Sequence, residues 1–557
     1  MRVVAQIISL WLGVSVAMSY VSGTPTVLHH PIFTNSIQRV VSNQNSTGSE
    51  AKPLKKVFLS NRTITCNDGS QAGFYLRKSS NTKTWIIFLE GGWYCHDVIT
   101  CRNRWLKQRH YMTSSNWPET RDVGGILSSN IKENPHWWDA NHVFVPYCSS
   151  DSWSGTRKSD KQGIQFSFMG SLIVQQVIKD LVPLGLENST DLLFAGSSAG
   201  GTGVMINLDS VHELLHDKLH LKQILVKGIT DSGWFLDRTP YVPTLKLAVE
   251  AIRQGIEFWA GKVPRRCKES YKDEPWRCYF GYRLYPTLKT PLFVFQWLFD
   301  EAQMDVDNVG TPVTKQQWDY VHKMGDALRH SLKSVSAVFA PSCISHSVLT
   351  KKDWQEVKID DISVADALNC WVSKTNRKRI KRRKNQKKMK QQLRKQQALQ
   401  KSEHGERSNG SPKYGQKQND KSEKKRRRKE KKQKERKRKQ SHHSRSKEAP
   451  KNRTKNSIVT NSISNNRTRN TVPKGQKGTR DKHCAHRRLE KCSWPQCNRS
   501  CPKLQNPLTG EEMDFIELLK SFGLDMGSVA SALGIDIRTL NNMDQRDLHN
   551  LLTQHTG

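Results

Sequence analysis

Residues 192–201 read Leu192-Leu193-Phe194-Ala195-Gly196-Ser197-Ser198-Ala199-Gly200-Gly201, an apolar run that feeds straight into G-x-S-x-G. A strand that ends in this pattern and opens a helix presents its central serine on a very tight turn, so the flanking residues must be small. Gly196 and Gly200 meet that need, and Ser198 is the central residue. The pattern predicts the nucleophile elbow of an α/β-hydrolase.

The neighbouring segments suit that fold. From Val57 to about Trp371, apolar runs alternate with helical patterns. Strands are predicted at Trp85–Leu89, His142–Tyr147, Asp191–Ala195, Gln223–Ile229 and Leu292–Phe299. Leu172, Ile173, Val174, Val177, Ile178 and Leu181 recur at the spacing of one helix face, and a second helix is predicted from Gly203 to His216. Alternating strands and helices point to an α/β fold with a mostly parallel central sheet covered by helices.

A serine hydroxyl becomes a nucleophile only beside a base, and the base needs an acid to orient it. In this fold the chain order is serine, acid, histidine. Asp300 is the best acid, because it follows the apolar run Leu292–Phe299 and so stands at the carboxyl end of a strand, where ligands gather in open α/β sheets. His346 is the best base, in the loop Pro341-Ser342-Cys343-Ile344-Ser345-His346 that follows the apolar stretch Val335–Ala340. Asp231 and Asp237 are competing acids. His322 and His330 compete as bases but read as exposed helix positions. The oxyanion needs backbone N–H donors. Ala199, next after the nucleophile, supplies one, and the Gly-Gly turn in Leu89-Glu90-Gly91-Gly92-Trp93 supplies the other.

The net charge of +39 is concentrated in one segment. Residues 374–482 hold 42 Lys and Arg against 8 Asp and Glu, and the rest of the chain is nearly neutral. This tract has almost no aromatics and cannot build a core, so it is predicted to be a disordered or weakly helical insert. Arg2 followed by the apolar run Val3 to about Ala17 and small residues near Gly23 reads as a signal peptide over 1–23. Residues 24–53 read as a flexible leader, 54–373 as the catalytic domain, and 483–557 as a Cys-rich segment with C-terminal helices that completes it. Thr509-Gly510-Glu511-Glu512 predicts a capping box for a helix carrying Phe515, Leu518, Leu519 and Phe522 and ending at Gly523. No segment after the signal is apolar for long enough to cross a membrane.

Twelve cysteines in an exported chain favour six disulfides over free thiols. For the same reason Cys95-His96 and Cys497 with Cys501 are read as disulfide partners rather than zinc ligands, and neither a metal nor a cofactor is expected. Sequons at Asn45, Asn61, Asn188, Asn452, Asn466 and Asn498 suit a secreted glycoprotein.

Five long stretches, Phe88–Cys95, Pro146–Asp151, Gly196–Gly203, Asp231–Asp237 and Gln296–Gln303, resemble the Notum family of secreted palmitoleoyl-protein carboxylesterases, within the pectin-acetylesterase-like group. The likeness covers about residues 55–372 and resumes over about 484–545. It implies an α/β-hydrolase with helical lid or cap elements that removes palmitoleate from a serine of Wnt proteins and so suppresses Wnt signalling. It implies the triad Ser198, Asp300 and His346 and the oxyanion donors Gly92, Trp93 and Ala199. It implies an acyl pocket lined by Trp93, Tyr94, Thr202, Phe235, Ile252, Tyr279, Phe280, Ala302 and Val306, whose apolar surface suits a long chain at about 0.8 kcal/mol per buried CH₂. The family's vertebrate-type members carry an extra cysteine pair in the lid, and Tyr241–Glu250 has none here. The basic tract is far longer than the linker usual in the family.

Cys95–Cys101 and Cys267–Cys278 are plausible local disulfides and Cys66–Cys148 a long one, whereas Cys343, Cys370, Cys484, Cys492, Cys497 and Cys501 allow fifteen pairings. Cysteines on both sides of the tract are expected to bridge its base and leave it a tethered loop. Sulfated glycosaminoglycan at the cell surface, such as heparan sulfate on glypicans, is the partner expected for residues 374–482, in preference to nucleic acid or to no partner. Two other function classes stay open on sequence: an extracellular polysaccharide O-acetylesterase, and a non-catalytic scaffold bound to heparan sulfate.

Overall fold

A computed structural model describes residues 52–159, 165–242, 247–310, 312, 314–405, 485–505, 512–513, 525–532, 535–543 and 547. The expected signal peptide, nearly all of the leader, Asn45, Asn452, Asn466, Cys484 and the tract from 406 onward lie outside the described residues.

The strands are β1 (Leu54–Phe58), β2 (Gly73–Arg77), β3 (Thr84–Leu89), β4 (Thr120–Arg121), β5 (Asn141–Val145), β6 (Asp191–Ser197), β7 (Leu225–Asp231), β8 (Leu292–Phe295), β9 (Phe299–Asp300), β10 (Val338–Ala340), β11 (Ile344–Ser345), β12 (Lys358–Ile359), β13 (Ile362–Ser363) and β14 (Arg487–Leu489). The helices are α1 (Val98–Lys107), α2 (Gly170–Leu181), α3 (Ala199–Glu213), α4 (Leu247–Phe258), α5 (Arg265–Ser270), α6 (Gly281–Leu284), α7 (Glu301–Val306), α8 (Lys315–Ser331) and α9 (Val364–Gly405). Ten strands form one sheet in the order β14-β10-β8-β7-β6-β3-β5-β2-β1-β4. From β14 to β5 all neighbours run parallel, and β2, β1 and β4 extend that edge antiparallel.

Alternation along each strand divides the interior in two. On β6, Leu192 and Phe194 join the core that holds α2 and α3, and Leu193 and Ala195 join the opposite core. On β3, Trp85, Ile87 and Leu89 face the first core, and Ile86 and Phe88 face the second. A strand buried on both faces reads as an unbroken apolar run, which is why the run before Ser198 shows no polar alternation.

One buried charge interrupts this pattern. Lys227 of β7 is fully buried, with its Nζ 2.5 Å from Asp191 Oδ1 on the neighbouring strand. Removing the Asp191 charge takes an ion-pair partner from this buried cation, which is costly. Asp191→Asn is expected to lower stability by about 3 kcal/mol, read from urea unfolding; an unchanged midpoint would show that the pair is dispensable.

Past residue 373 the chain enters the basic tract as a helix. Val364, Ala365, Ala367, Leu368, Trp371 and Val372 pack α9 into the second core, and the same helix then runs on through the basic tract to Gly405. Residues 374–404 contain neither glycine nor proline and are rich in Lys, Arg, Gln, Leu and Met, all good helix formers. The described part of this helix ends at Gly405, the first glycine of the tract. Of the two states expected for the tract, residues 374–405 take the helical one.

Beyond the tract the chain returns as β14, parallel to β10 in register Val338↔Arg487, Phe339↔Arg488 and Ala340↔Leu489. Cys343–Cys501 ties this segment to the loop after β10, and Cys370 is also disulfide-bonded. Cys66–Cys148, Cys95–Cys101 and Cys267–Cys278 form as expected, with Cys492–Cys497 in addition. Glu512 corrects the predicted capping box. It pairs with Gln505 in a two-stranded antiparallel sheet, which satisfies backbone groups that a first helical turn leaves open. Phe515, Leu518, Leu519, Phe522 and Gly523 lie outside the described residues. Among the described residues no helix is long and apolar enough to cross a membrane.

Candidate active site

Ser198 sits between β6 and α3 with φ 57° and ψ −125°. A non-glycine residue held there costs about 1–3 kcal/mol. The turn is held by Ser198 N–H donating to Asp231 O at 2.8 Å and by Thr202 N–H donating to Ser198 O at 3.0 Å. A methyl group at Gly200 would lie 2.1 Å from Leu89 O, and one at Gly196 would lie 2.5 Å from Gly200 O. The glycines of the motif are thus required by close approach of backbone, as the pattern implied.

The sequence reading carried one strand through to Phe299. The sheet strand in fact stops at Phe295, where the chain turns out of the sheet. Phe299–Asp300 then pairs with Ile344–Ser345 in register Ser345↔Asp300. This small parallel pair brings Asp300 to the residue before His346. His346 Nδ1 lies 3.0 and 3.1 Å from the two Asp300 oxygens. Asp300 is fully buried and also accepts from Gln296 Nε2 at 3.0 Å and Gln303 N at 3.2 Å, so its orientation is fixed.

With Nδ1 on the carboxylate, the lone pair of His346 resides on Nε2. Nε2 is buried and has no hydrogen-bond partner among the described residues. Ser198 makes no hydrogen bond to it in this conformation, a looseness common in such pairs before substrate closes the site. Burial disfavours the imidazolium, but Asp300, Asp231 and Glu301 outweigh it and hold the His346 pKa above its ordinary value.

The competing candidates have other tasks. Asp231 does not touch the imidazole. Its Oδ2 accepts from Ser197 Oγ at 2.5 Å and from the amides of Val348 and Leu349 at 2.9 and 3.0 Å, and its Oδ1 accepts from Ser232 Oγ. It therefore ties the serine elbow to the histidine loop. Asp237 is held by Arg277, Arg283 and the Tyr282 hydroxyl. His322 is half-buried against Trp494 and Phe299, not exposed as expected, and His330 is exposed on α8. Asp231→Ala strips two buried amides and two hydroxyls of their acceptor, at about 1–3 kcal/mol each. It is expected to lower both the unfolding midpoint and kcat; a fully active, equally stable variant would refute the tie.

The loop after β3 lies directly on the elbow. A methyl at Gly91 would lie 2.8 Å from Ser198 Cβ. Gly92 and Trp93 have φ of 139° and 64°, and neither amide donates to a backbone carbonyl among the described residues. Ala199 opens α3, so its N–H also has no carbonyl within the helix and lies at the positive end of the helix dipole.

An apolar cavity adjoins this loop, lined by Trp93, Tyr94, Phe235, Leu236, Ile252, Tyr279, Phe280 and Val306. Seven of the nine pocket residues expected from sequence are in that lining. Thr202 is buried with its hydroxyl on Gly233 O, and Ala302 is buried in α7; neither lines it. Leu236 was missed, although it sits in the quoted Trp234–Asp237 stretch. Trp93 stacks on Tyr94 at 5.0 Å, and Tyr94 meets Tyr279 edge-on at 6.2 Å. The cavity is small, with a volume of about 20 Å³.

Asp151 is another residue whose role sequence did not show. It accepts from Ser149 Oγ and from the amides of Trp153, Gly155 and Gly170, while burial pushes its pKa up to about 6. Among the described residues no His, Cys, Asp and Glu group could hold a metal ion, and Cys95, Cys497 and Cys501 are all in disulfides. Asn61 and Asn188 are exposed. Asn498 is 9% exposed, and its amide nitrogen donates to Lys358 O and Glu490 Oε2.

The pectinacetylesterase family profile matches residues 47–393. The palmitoleoyl-protein carboxylesterase NOTUM of Drosophila melanogaster is 48% identical over 614 aligned positions, covering 94% of this chain and 90% of that protein. Its Homo sapiens counterpart is 38% identical, covering 88% and 81%. A crystal structure of the Wnt deacylase Notum from Drosophila superposes with a TM-score of 0.57 at 62% identity, covering 58% of this chain and 94% of that one. The chain belongs to the pectinacetylesterase family, in the branch that holds the Notum carboxylesterases.

Proposed function

We propose that this protein is a secreted serine carboxylesterase that hydrolyses the O-palmitoleoyl-serine ester of Wnt proteins and so restrains Wnt signalling. The observation that carries the chemistry is the buried His346–Asp300 pair, with the histidine's second nitrogen unpartnered, on a loop tied through Asp231 to the serine elbow. The names of its relatives supply the substrate.

In this reading Ser198 Oγ attacks the ester carbonyl as His346 Nε2 takes its proton. Asp300 stabilises the imidazolium without taking the proton itself. The carbonyl oxygen, now an anion, receives the amides of Gly92, Trp93 and Ala199. The imidazolium returns its proton to the departing serine oxygen of the substrate, leaving palmitoleoyl-Ser198. Water, deprotonated by His346, then releases the free acid. Trp93, Tyr94, Phe235, Leu236, Ile252, Tyr279, Phe280 and Val306, which line the apolar cavity, accommodate the acyl chain. The reaction uses only side chains, backbone amides and water.

The test is an acyl-chain series. Wild type and Ser198→Ala are given p-nitrophenyl esters from acetyl to hexadecanoyl and a palmitoleoylated Wnt peptide. Serine-dependent release of palmitoleate, with good turnover of medium and long chains, supports the delipidating esterase. Activity confined to acetyl would move the assignment to a polysaccharide deacetylase. No turnover by a folded wild type would leave the scaffold.

The finer reading of partners is that residues 374–482 hold the enzyme at the cell surface through heparan sulfate on glypicans. Its support is the run of 42 basic residues, 14 of them on the helical stretch 374–405. A polyanion bound this way releases counterions, so affinity falls steeply with salt. Deleting 374–482 is expected to abolish retention on heparin and leave turnover of a soluble ester unchanged. Undiminished retention would refute the assignment.

A further inference from the structure

We infer that Arg104 is a positioning residue for the oxyanion hole: its guanidinium grips the Gly92 carbonyl oxygen and thereby aims the Trp93 N–H, in the same peptide unit, at the developing anion. This rests on the assignment of Gly92, Trp93 and Ala199 as oxyanion donors.

Arg104 lies on α1 and is 5% exposed. Among the described residues no carboxylate pairs with it. Nη2 donates to Gly92 O at 2.5 Å, Nε to Ser150 Oγ at 2.9 Å and Nη1 to Gln108 Oε1 at 2.9 Å. The faces of Tyr111 and Tyr147 lie 5.0 and 5.9 Å away. Burial of a cation without a counter-ion is costly, and packing needs alone would be met by an apolar side chain. A guanidinium stays charged even when burial lowers its pKa. Its three neutral acceptors include one carbonyl of the loop that touches the nucleophile.

The geometry of a trans peptide gives that bond its consequence. The C=O and N–H of one unit point in opposite directions. Holding Gly92 O on the α1 side turns Trp93 N–H to the other side. Gly92 has φ of 139°, in the region where glycine alone is unstrained, and glycine also tolerates the flipped peptide. The same peptide sets φ of Trp93 at 64°, a region that disfavours a non-glycine residue, so local sterics at Trp93 oppose the observed orientation and a contact from outside the loop has to hold it. A methyl at Gly92 would meet the Tyr111 ring at 2.6 Å, so the same aromatic that faces Arg104 also closes the back of the loop.

Two features make α1 a firm base for this grip. Asp97 caps the helix through a capping box with Thr100, and Cys95–Cys101 joins the helix to the loop's exit. The guanidinium also polarises the peptide it holds, which strengthens the N–H as a donor in a site of low dielectric.

The test compares Arg104→Met, Arg104→Lys and Gln108→Ala in the full chain, with thermal unfolding as the check on folding. Two readouts are taken: kcat and KM on a p-nitrophenyl ester, and the ratio of turnover of an ester to that of its thionoester. A thiono sulfur is a poor acceptor, so that ratio reports the oxyanion donors and is indifferent to packing. Arg104→Met is expected to lower kcat by about 100-fold with KM nearly unchanged, and to lower the ratio markedly while leaving the part owed to the remaining donors. Arg104→Lys is expected to regain part of both. Should Arg104→Met not fold, Gln108→Ala, which frees one anchor of the guanidinium, is expected to lower the same ratio several-fold. A folded Arg104→Met that keeps its kcat and its ratio overturns the inference, as does an unchanged ratio in Gln108→Ala. A wild type that does not discriminate ester from thionoester overturns the oxyanion-hole assignment and the inference with it.

Discussion

Ser198→Ala is expected to lower ester turnover by about 10⁶-fold while the protein folds normally and still binds its substrate. Alanine keeps the Cβ at the elbow, so the backbone at φ 57° is no more strained than with serine. What is lost is the nucleophile, and neither Ser197 nor Thr202 can replace it. Ser197 Oγ is spent on Asp231 and Thr202 Oγ1 on Gly233 O. A small acceleration over water would persist, because the oxyanion donors and the apolar cavity remain. The measurement is the burst and steady state of p-nitrophenol release. Loss of both with retained binding of palmitoleoylated peptide separates hydrolysis from capture. Undiminished turnover in this variant would remove Ser198 from the mechanism.

The second large effect concerns Asp300. Asp300→Asn is expected to lower kcat by about 10⁴-fold and to move the acid limb of the pH profile downward. The carboxylate receives Nδ1–H of His346 at 3.0 Å and so keeps the lone pair on Nε2. An amide there can donate to Nδ1, which places the proton on Nε2, the nitrogen that must accept. The sign of the pH effect follows from charge. The base works only as neutral imidazole, so activity rises with pH through the His346 pKa. Burial opposes the cation, but Asp300, Asp231 and Glu301 raise that pKa above its ordinary value, so the wild-type limb lies above that of a free imidazole. Removing the largest of those charges lowers it. The same shift adds stability that is complete below the unfolded-state pKa and fades as pH rises through the folded one. A profile that does not move in Asp300→Asn would show that the pair is not titrating as a unit.

Mutations at Asp300 and at Asp231 separate two uses of a carboxylate that look identical in sequence. Each ends a strand, and each was a candidate for the acid. Asp300 reaches the imidazole because two short strands, Phe299–Asp300 and Ile344–Ser345, pair outside the main sheet. Asp231 receives backbone amides of the histidine loop. Neither pairing leaves a local trace, since each joins residues well over forty positions apart.

The sequence by itself determined whatever sterics and period impose within a few residues. The elbow at Ser198 was legible because Gly196 and Gly200 are demanded by backbone contacts under 3 Å. The strands around it were legible because a strand buried on both faces must be apolar throughout. The basic tract was legible as charge, and sequence left it between disordered and weakly helical; its first thirty residues continue α9, because they hold good helix formers without a breaker. Tertiary structure alone decided that β14 returns from beyond the tract to the sheet edge. It alone decided that Glu512 pairs as a strand, that Asn498 is buried, and that an arginine on α1 reaches the carbonyl of Gly92. Those outcomes depend on which distant group fills a backbone or side-chain valence, and a valence can be filled from anywhere in the chain.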